Sequence, residues 1–182
     1  MSLYDTFKNT TRKELGLKLG KKNLHEIPAI SKVIVSMGIG SLHTRKWVKD
    51  FTDLQGNMRA ITGQKTYMIR SKQAISNFKL REDMPSMISA TLRGRKAYDF
   101  LERLRVLVLP RVRDFVGLNP KSFDKMGNYS IWLKDQSVFP EINYEDLQTL
   151  CGLQITIVPT TSSVEESKEL LRSLWLVFVN DK

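Results

Sequence analysis

The sequence predicts an α+β fold: a single domain with a mixed, mostly antiparallel β-sheet, helices packed on one face and the other face left open. Short runs typical of strands alternate irregularly with longer amphipathic stretches along the 182 residues. Hydrophobic residues make up 41% of the chain and charged residues 26%, which is enough to build a core. Because no linker, repeat or low-complexity tract divides the sequence, we expect one domain over residues 1–182.

Four stretches have the apolar spacing of helices. The first covers residues 2–19, and the second runs from Thr44 to Ile61, where Trp47, Phe51, Leu54, Met58 and Ile61 form the apolar stripe. Gly63 is a candidate C-cap of that second helix. The third helix is expected between Gly94 and Pro110. For the last helix, the pattern predicts a capping box that pairs Ser162 or Ser163 with Glu165 or Glu166.

Strands are expected near residues 30, 65, 87, 130 and 153, and alternation is cleanest over Leu153–Val158. A further short run at Gln136–Phe139 is also typical of strands. Between the first strand and the second helix, Gly38-Ile39-Gly40 invites comparison with a phosphate-binding loop. The third glycine of that motif is missing, because position 43 is His43, so a turn that needs positive φ is the better interpretation.

Positive charge is concentrated in the first part of the chain. Residues 1–113 carry 23 Lys and Arg against 9 Asp and Glu, whereas residues 114–182 carry 6 against 10, and the net charge of the chain is +10. A basic surface of this kind favours a polyanionic partner such as nucleic acid. A basic domain without such a partner is the plainer alternative at this point.

The most basic feature is a long loop at 71–86, between two strand-like runs. It carries Lys72, Lys79 and Arg81, with the aromatic Phe78 among them. Loops of this length in a compact domain are usually functional or disordered. Cations around an exposed aromatic side chain suit contact with a phosphate backbone and stacking on a base.

The sequence offers no site for catalysis, a metal or a cofactor. His25 and His43 lie eighteen positions apart, and both are expected to be ordinary surface histidines. The single cysteine, Cys151, precedes a buried strand and is expected to be structural. Because one cysteine cannot form an internal disulfide, the sequence fits a reducing compartment. Glu141, with the acidic residues that follow it, is explained as an exposed turn. No apolar run approaches a membrane span and the N-terminus has no secretory leader, so we expect no membrane contact.

A series of short motifs in order resembles the bacterial-type large-subunit ribosomal protein five, the family that binds 5S rRNA. The resemblance covers nearly the whole chain. The motifs are IPAISKVIVSMGIG at 27–40, AITGQK at 60–65, SNFKLRED followed by Met84 and the motif proline at 76–85, ATLRG at 90–94, LERL at 101–104, LPRVRDFVGL at 109–118, KSFDKMGNYS at 121–130, FPEI at 139–142 and GLQITIVPTT at 152–161.

This resemblance implies a structural, RNA-binding ribosomal protein of the central protuberance, without enzymatic activity and without cofactors. Its partners would be 5S rRNA, other large-subunit rRNA, peptidyl-site tRNA, neighbouring 5S-associated ribosomal proteins and a small-subunit head protein at an intersubunit bridge. The motifs transfer rRNA contacts to Lys32, Ser36, Met37, Gln64, Lys65, Thr91 and Arg93, and tRNA contacts to Lys72, Phe78, Lys79 and Arg81.

Several positions depart from the family pattern, so the resemblance is to a divergent member. They are Ser36, Met84, Ser89, Val116, Lys125 and Trp132. The expected location is the ribosome in the cytoplasm of a bacterium, with a mitochondrial or plastid ribosome as the alternative. A free-standing RNA chaperone or translational regulator would have the same basic face and is the second functional hypothesis.

Overall fold

A computed structural model describes residues 2–46, 50–113, 115–142 and 149–179. Its five strands form one sheet in the order β2-β3-β1-β5-β4. The helical stretches include a continuous first segment, in which α1 passes through a π-helical turn at Phe7–Thr11 into α2. The strands are β1 Ile30–Gly38, β2 Tyr67–Arg70, β3 Pro85–Leu92, β4 Tyr129–Leu133 and β5 Leu153–Pro159, and the helices are α1 Leu3–Thr6, α2 Arg12–Lys18, α3 Gly40–Lys46, α4 Thr52–Thr62, α5 Arg95–Arg103 and α6 Val164–Ser173.

The sheet is antiparallel, and this confirms the predicted α+β class with an open sheet. Tyr67 of β2 pairs with Ser89 of β3 and Ile69 pairs with Met87. Residue numbers therefore increase along β2 as they decrease along β3, as in an antiparallel pair. The N–H of Ile39, directly after β1, donates to the carbonyl of Ser86 in β3 at 2.9 Å. Strands β2 and β3 follow each other along the chain and are therefore joined as a hairpin, which is the simplest connection between antiparallel neighbours.

The chain divides into two compact units, and four of the strands pass from one unit into the other. The first unit contains 1–33, 92–131 and 156–182, and the second contains 34–91 and 132–155. The single-domain organisation over residues 1–182 stays a prediction.

In the first unit, the N-terminal helical segment is fastened to α5. Leu3 donates its N–H to the Glu102 carboxylate at 3.0 Å, and the rings of Phe7 and Tyr98 lie 5.1 Å apart. The Tyr98 hydroxyl accepts from the N–H of Ile30 at the start of β1, and burial raises the pKa of this tyrosine to about 12. Tyr98 therefore stays protonated and acts as a structural link between helix and strand.

In the second unit, the core contains one side of α4 together with alternate residues of β1 and β3. Met58 and Ile61 of α4 are fully buried, as are Val35 and Ile88 of the two strands. Gly63 ends α4 in the left-handed conformation with φ of 63°, which confirms the predicted C-cap. The apolar stripe expected for this helix is thus confirmed for Leu54, Met58 and Ile61. Phe51 is buried but precedes α4, and Trp47 lies outside the described residues.

Four local predictions are wrong. The second helix is interrupted, because Asp50 and Phe51 are not helical and the Asp50 carboxylate accepts from both the N–H and the hydroxyl of Thr52, at 2.9 and 2.6 Å. Gly38 and Gly40 have no positive φ, since β1 continues to Gly38 and α3 begins at Gly40.

The third wrong prediction is the strand at Gln136–Phe139, which is instead a 3₁₀ turn at Gln136–Val138. Its buried Gln136 side chain donates to the carbonyl of Thr149 at 2.9 Å. The capping box also differs from the prediction: Ser163 is the N-cap of α6 but makes no side-chain cap, and Glu166 accepts instead from Thr161 at 2.7 Å.

Among the described residues, no helix has the length and apolar character needed to cross a membrane.

Candidate nucleic-acid interface

The open face of the sheet is defined by alternation along its strands. In β1, Val33, Val35 and Met37 are fully buried, while the intervening Ile34 is only half-buried. In β3, Ile88 and the next two even-numbered residues are fully buried, whereas the odd-numbered positions point the other way. We call the side away from the core the open face. In the second unit its members are Ile34, Ser36, Tyr67, Ile69, Met87, Ser89, Thr91, Trp132 and Gln154.

The register of β2 against β3 puts Tyr67 and Ile69 on the open face. Tyr67 lies opposite Ser89, and directly paired residues of antiparallel strands share a face. The Tyr67 ring is 49% exposed, and its hydroxyl lies 3.5 Å from the Thr91 hydroxyl. β2 is one of the two edge strands of the sheet, so this aromatic side chain lies at one border of the open face.

Gln64 is positioned by the turn that ends α4. The left-handed Gly63 redirects the chain, and the Gln64 side-chain amide then donates to the main-chain carbonyl of Thr91 at 2.9 Å. That hydrogen bond uses the amide nitrogen and leaves the carbonyl oxygen of the side chain to accept from a ligand. Both residues are half-buried, so their side chains are ordered and still reachable. The structure therefore brings together the Gln and Thr of two separate sequence motifs.

The β1 residues of the predicted interface are less accessible than expected. Ser36 lies on the open face but is only 7% exposed, and its hydroxyl donates to the carbonyl of Gln154 at 3.4 Å. Met37 is on the opposite face and its side chain is 0% exposed, because it alternates with Ser36 and belongs to the core. We therefore leave the Met37 side chain out of the interface proposed below. Lys32 is half-buried, and Lys65 and Arg93 are exposed.

The predicted loop at 71–86 is an organised extension of the β2–β3 hairpin. Ser71 and Met84 continue the pairing, since the Ser71 N–H donates to the Met84 carbonyl at 2.8 Å. At the tip, Ile75 and Leu80 form an isolated antiparallel bridge with hydrogen bonds of 2.9 and 3.1 Å. The tip itself is a 3₁₀ turn at Ser76–Phe78, followed by Lys79 in the left-handed conformation with φ of 52°. We call residues 71–84 the hairpin extension.

The hairpin extension presents an aromatic ring and cations to solvent. Phe78 is 74% exposed, which is unusual for a phenylalanine on the surface of a monomer. Lys72, Lys79 and Arg81 are exposed as well, and within the described part of the chain none of these three forms an ion pair. Arg70, at the base, donates to the Asp83 carboxylate at 2.6 Å.

This last ion pair divides the charges of the hairpin extension into two groups. Because Arg70 and Asp83 neutralise each other at its base, the positive charge available to a polyanion comes from Lys72 near the base and from Lys79 and Arg81 toward the tip. The hairpin extension and the start of α3 together line an open concavity of about 1550 Å³. On the α3 side, the lining residues are Gly40, Ser41, His43 and Thr44.

Metal-ligating side chains do not cluster in the described part of the interface. No cluster of three or more His, Cys, Asp or Glu residues able to hold a metal ion occurs among the residues described. Cys151 is buried, as a structural cysteine is expected to be. The acidic turn that begins at Glu141 lies largely outside the described residues. The groups that the interface does present, an amide at Gln64, an aromatic ring at Tyr67 and cations such as Lys65, suit binding through hydrogen bonds, stacking and charge.

Comparison with known proteins identifies the family. Residues 23–81 match the model described as Ribosomal protein L5, and residues 85–178 match the model of the C-terminus of the same ribosomal family. The chain belongs to the ribosomal protein L5 family. It is therefore a ribosomal protein, and the prediction that it is not an enzyme is confirmed.

Full-length relatives agree with the family models. The large ribosomal subunit protein uL5 of Prochlorococcus marinus strain MIT 9515 is 44% identical over 180 residues, which are 99% of this chain and 100% of that protein. The protein of the same name from strain MIT 9211 is 44% identical over 178 residues, 98% of each chain. These relatives are bacterial, and they give no support to the organellar alternative.

Sequence reasoning missed the two most exposed aromatic residues of the open face. The sequence pattern predicts a strand near residue 65 but assigns no face to Tyr67, and it marks Trp132 only as a departure from the family pattern. Trp132 in β4 is 72% exposed. Alternation within β4 gives the signal for it, since Ile131 and Leu133 on either side are buried, but placing it on the same face as Tyr67 requires the order of the strands.

Proposed function

We propose that this chain is a structural constituent of the large ribosomal subunit and that the open face of its sheet binds 5S rRNA. The observation that carries the proposal is the Gln64–Thr91 pair, in which one amide is fixed by a main-chain carbonyl beside an exposed aromatic ring. Sheet faces that combine aromatic and polar side chains bind unpaired bases by stacking and by hydrogen bonds to their edges. Lys65 and Arg93 supply positive charge for the backbone phosphates.

The test is the affinity of the purified chain for 5S rRNA. Gln64→Ala and Thr91→Ala are each expected to weaken binding by about 1–3 kcal/mol, the usual value of a base-edge contact. Gln55→Ala is the matched control, because Gln55 is also half-buried but lies on α4. Unchanged affinity in both interface variants, with folding intact, would remove this face from the proposal.

We infer that the hairpin extension has a separate partner, peptidyl-site tRNA. Its support is the combination of the exposed Phe78 with Lys72, Lys79 and Arg81 on a hairpin that projects beyond the strands. Lys79→Ala together with Arg81→Ala should accelerate dissociation of tRNA from the peptidyl site of assembled ribosomes. The same pair of changes should leave the affinity of the isolated chain for 5S rRNA nearly unaltered. A large loss of 5S affinity would instead assign the hairpin extension to rRNA.

The remaining partners rest on the family resemblance alone. They are other large-subunit rRNA, neighbouring 5S-associated proteins and a small-subunit head protein at an intersubunit bridge, within ribosomes of a bacterial cytoplasm. Sedimentation of a cell lysate separates this assignment from an RNA chaperone or regulator that acts off the ribosome. Stoichiometric presence in the large subunit supports the assignment, and a mostly free pool contradicts it.

A further inference from the structure

Trp132 is an exposed tryptophan on the open face, at the border opposite to Tyr67. β4 and β2 are the two edge strands of the sheet. The indole is 72% exposed, whereas its chain neighbours Ile131 and Leu133 are buried in the core. An indole with most of its surface in water gains nothing from burial within this chain. A single exposed apolar side chain is ordinary on a protein surface, so what distinguishes Trp132 is its position on the open face that also holds Tyr67 and Thr91.

A row of side chains connects the two aromatic borders across the second unit. Tyr67 pairs with Ser89, the Ser89 hydroxyl reaches the neighbouring strand at the carbonyl of Val35, and the Ser36 hydroxyl reaches the carbonyl of Gln154. With strands about 4.8 Å apart, four spacings put the borders about 19 Å from each other.

The middle of this row is formed by small side chains and its two ends by large ones. Ser89 is 2% exposed and Ser36 is 7% exposed, so neither projects far above the strands, while the two aromatic side chains stand well above them. The row is therefore shallow between its two aromatic ends, and the apolar Ile34, Ile69 and Met87 belong to the same face. A nucleotide chain crossing it would meet an aromatic ring at each side and the half-buried Gln154 between them.

The surroundings of Trp132 favour a base over a protein as its partner. Protein interfaces place exposed aromatic residues among other apolar residues, and their centres are depleted of charge. On this face the neighbouring β5 strand offers Gln154, and two residues further along the chain from the tryptophan is the exposed Lys134. An isolated aromatic ring beside polar groups and a cation is the arrangement found where bases stack in nucleic-acid grooves.

We propose that Trp132 stacks on an unpaired base of 5S rRNA, so that the RNA footprint extends over the full width of the open face. This inference rests on the proposed function, and adds to it a contact at Trp132, a position that lies outside all of the family motifs. The indole contributes through its π-face, so the contact tolerates any base and adds no ion-pair term.

The experiment measures 5S rRNA affinity for Trp132→Ala and Trp132→Phe. Loss of the ring is expected to weaken binding about 5- to 160-fold, as alanine substitution at stacking sites does, whereas phenylalanine should stay within about threefold of the unaltered chain. The slope of log affinity against log salt should be the same for all three proteins, because stacking releases no counterion. Trp175→Ala is the matched control, since Trp175 is 69% exposed and follows α6 outside the strands.

A spectroscopic measurement makes the result independent of folding. In a chain carrying Trp47→Phe and Trp175→Phe, the remaining indole should lose fluorescence on titration with 5S rRNA and become protected from acrylamide. Equal affinity of Trp132→Ala with no quenching, while Thr91→Ala still weakens binding, overturns the inference and leaves the proposed function standing. Failure of the unaltered chain to bind 5S rRNA overturns both. Protection of the indole by a ribosomal protein instead of RNA also overturns the inference.

Discussion

The salt dependence of RNA affinity can separate the two basic surfaces, because each phosphate contact contributes a fixed increment to the slope of log affinity against log salt concentration. The perturbation is a pair of double variants that each remove one lysine and one arginine. Lys65→Gln with Arg93→Gln takes exposed cations from the ends of the strands that form the open face, and Lys79→Gln with Arg81→Gln takes exposed cations from the hairpin extension. The variants are matched in charge, in residue type and in exposure, so they differ only in location.

The expected magnitude follows from counterion release. Each neutralised phosphate contributes about 0.7–0.9 to the slope of log affinity against log salt, so the first variant should lower the magnitude of the slope by about 1.4–1.8. At a salt concentration of about 0.15 M this corresponds to about a 20-fold loss of affinity for 5S rRNA. The second variant should change the slope by less than about 0.3, because the hairpin extension is assigned to a different RNA.

The assay is a filter-binding or anisotropy titration of labelled 5S rRNA at several salt concentrations, with thermal unfolding as the check on folding. A reversed result, in which the Lys79 and Arg81 variant loses slope and the Lys65 and Arg93 variant does not, would refute the division of labour. Equal losses in both variants would show that 5S rRNA covers both surfaces.

Three further predictions concern the fold that holds these surfaces. In a urea titration, Gly127→Ala should destabilise the chain by about 1–3 kcal/mol, because φ of Gly127 is +75° and the new Cβ would lie 2.6 Å from a serine hydroxyl. In the same titration, Gly56→Ala should stabilise the chain by about 0.5–1 kcal/mol, because Gly56 lies within α4 and its added Cβ would meet open space. A hydrogen bond from Lys21, at 2.5 Å, holds the pKa of Glu166 below its ordinary value of 4.5, so their pairing stabilises the fold above that pH and is lost as the pH falls through the lower, folded-state pKa. Glu166→Gln should therefore flatten the acid limb of a plot of melting temperature against pH, and an unchanged limb would contradict the pairing. Ile88→Ala should cost about 2–5 kcal/mol in urea unfolding, as removal of a fully buried side chain does, and a cost below about 1 kcal/mol would contradict the assignment of this face of β3 to the core.

The strands and their faces could be predicted where local alternation is regular. β5 alternates over its whole length between buried and half-buried residues, and its bounds differ from the predicted ones by one residue. The same rule separates Met37 from Ser36, and the assignment of Met37 to the RNA surface followed the family motif in place of the alternation. Motif membership says that a position matters and does not say which face it occupies.

Other features depend on contacts that periodicity does not contain. The break before α4 arises from the Asp50 carboxylate binding Thr52, a hydrogen bond between side chain and main chain that competes with the helix. The 3₁₀ turn at Gln136–Val138 depends on a partner carbonyl thirteen residues away. Neither of these two hydrogen bonds can be predicted from the spacing of apolar residues.

The candidate interface was predictable in part for the same reason. Gln64 and Thr91 were identified from their motifs, but their hydrogen bond depends on strand register, and so does the pairing that puts Tyr67 on the open face. The location of Trp132 also depends on the strand order, because only that order shows that β4 is the edge strand opposite to β2. Pairing between strands distant in sequence is set by the whole fold.

The most direct test of the central claim is a photo-crosslinking map of this chain within purified large ribosomal subunits. The account predicts that 5S rRNA is linked to the open face, with Tyr67 and Trp132 among the modified residues. It also predicts that the hairpin extension acquires links only when tRNA occupies the peptidyl site. Links of 5S rRNA to the exposed side of α4, with the open face unmodified, would contradict the account.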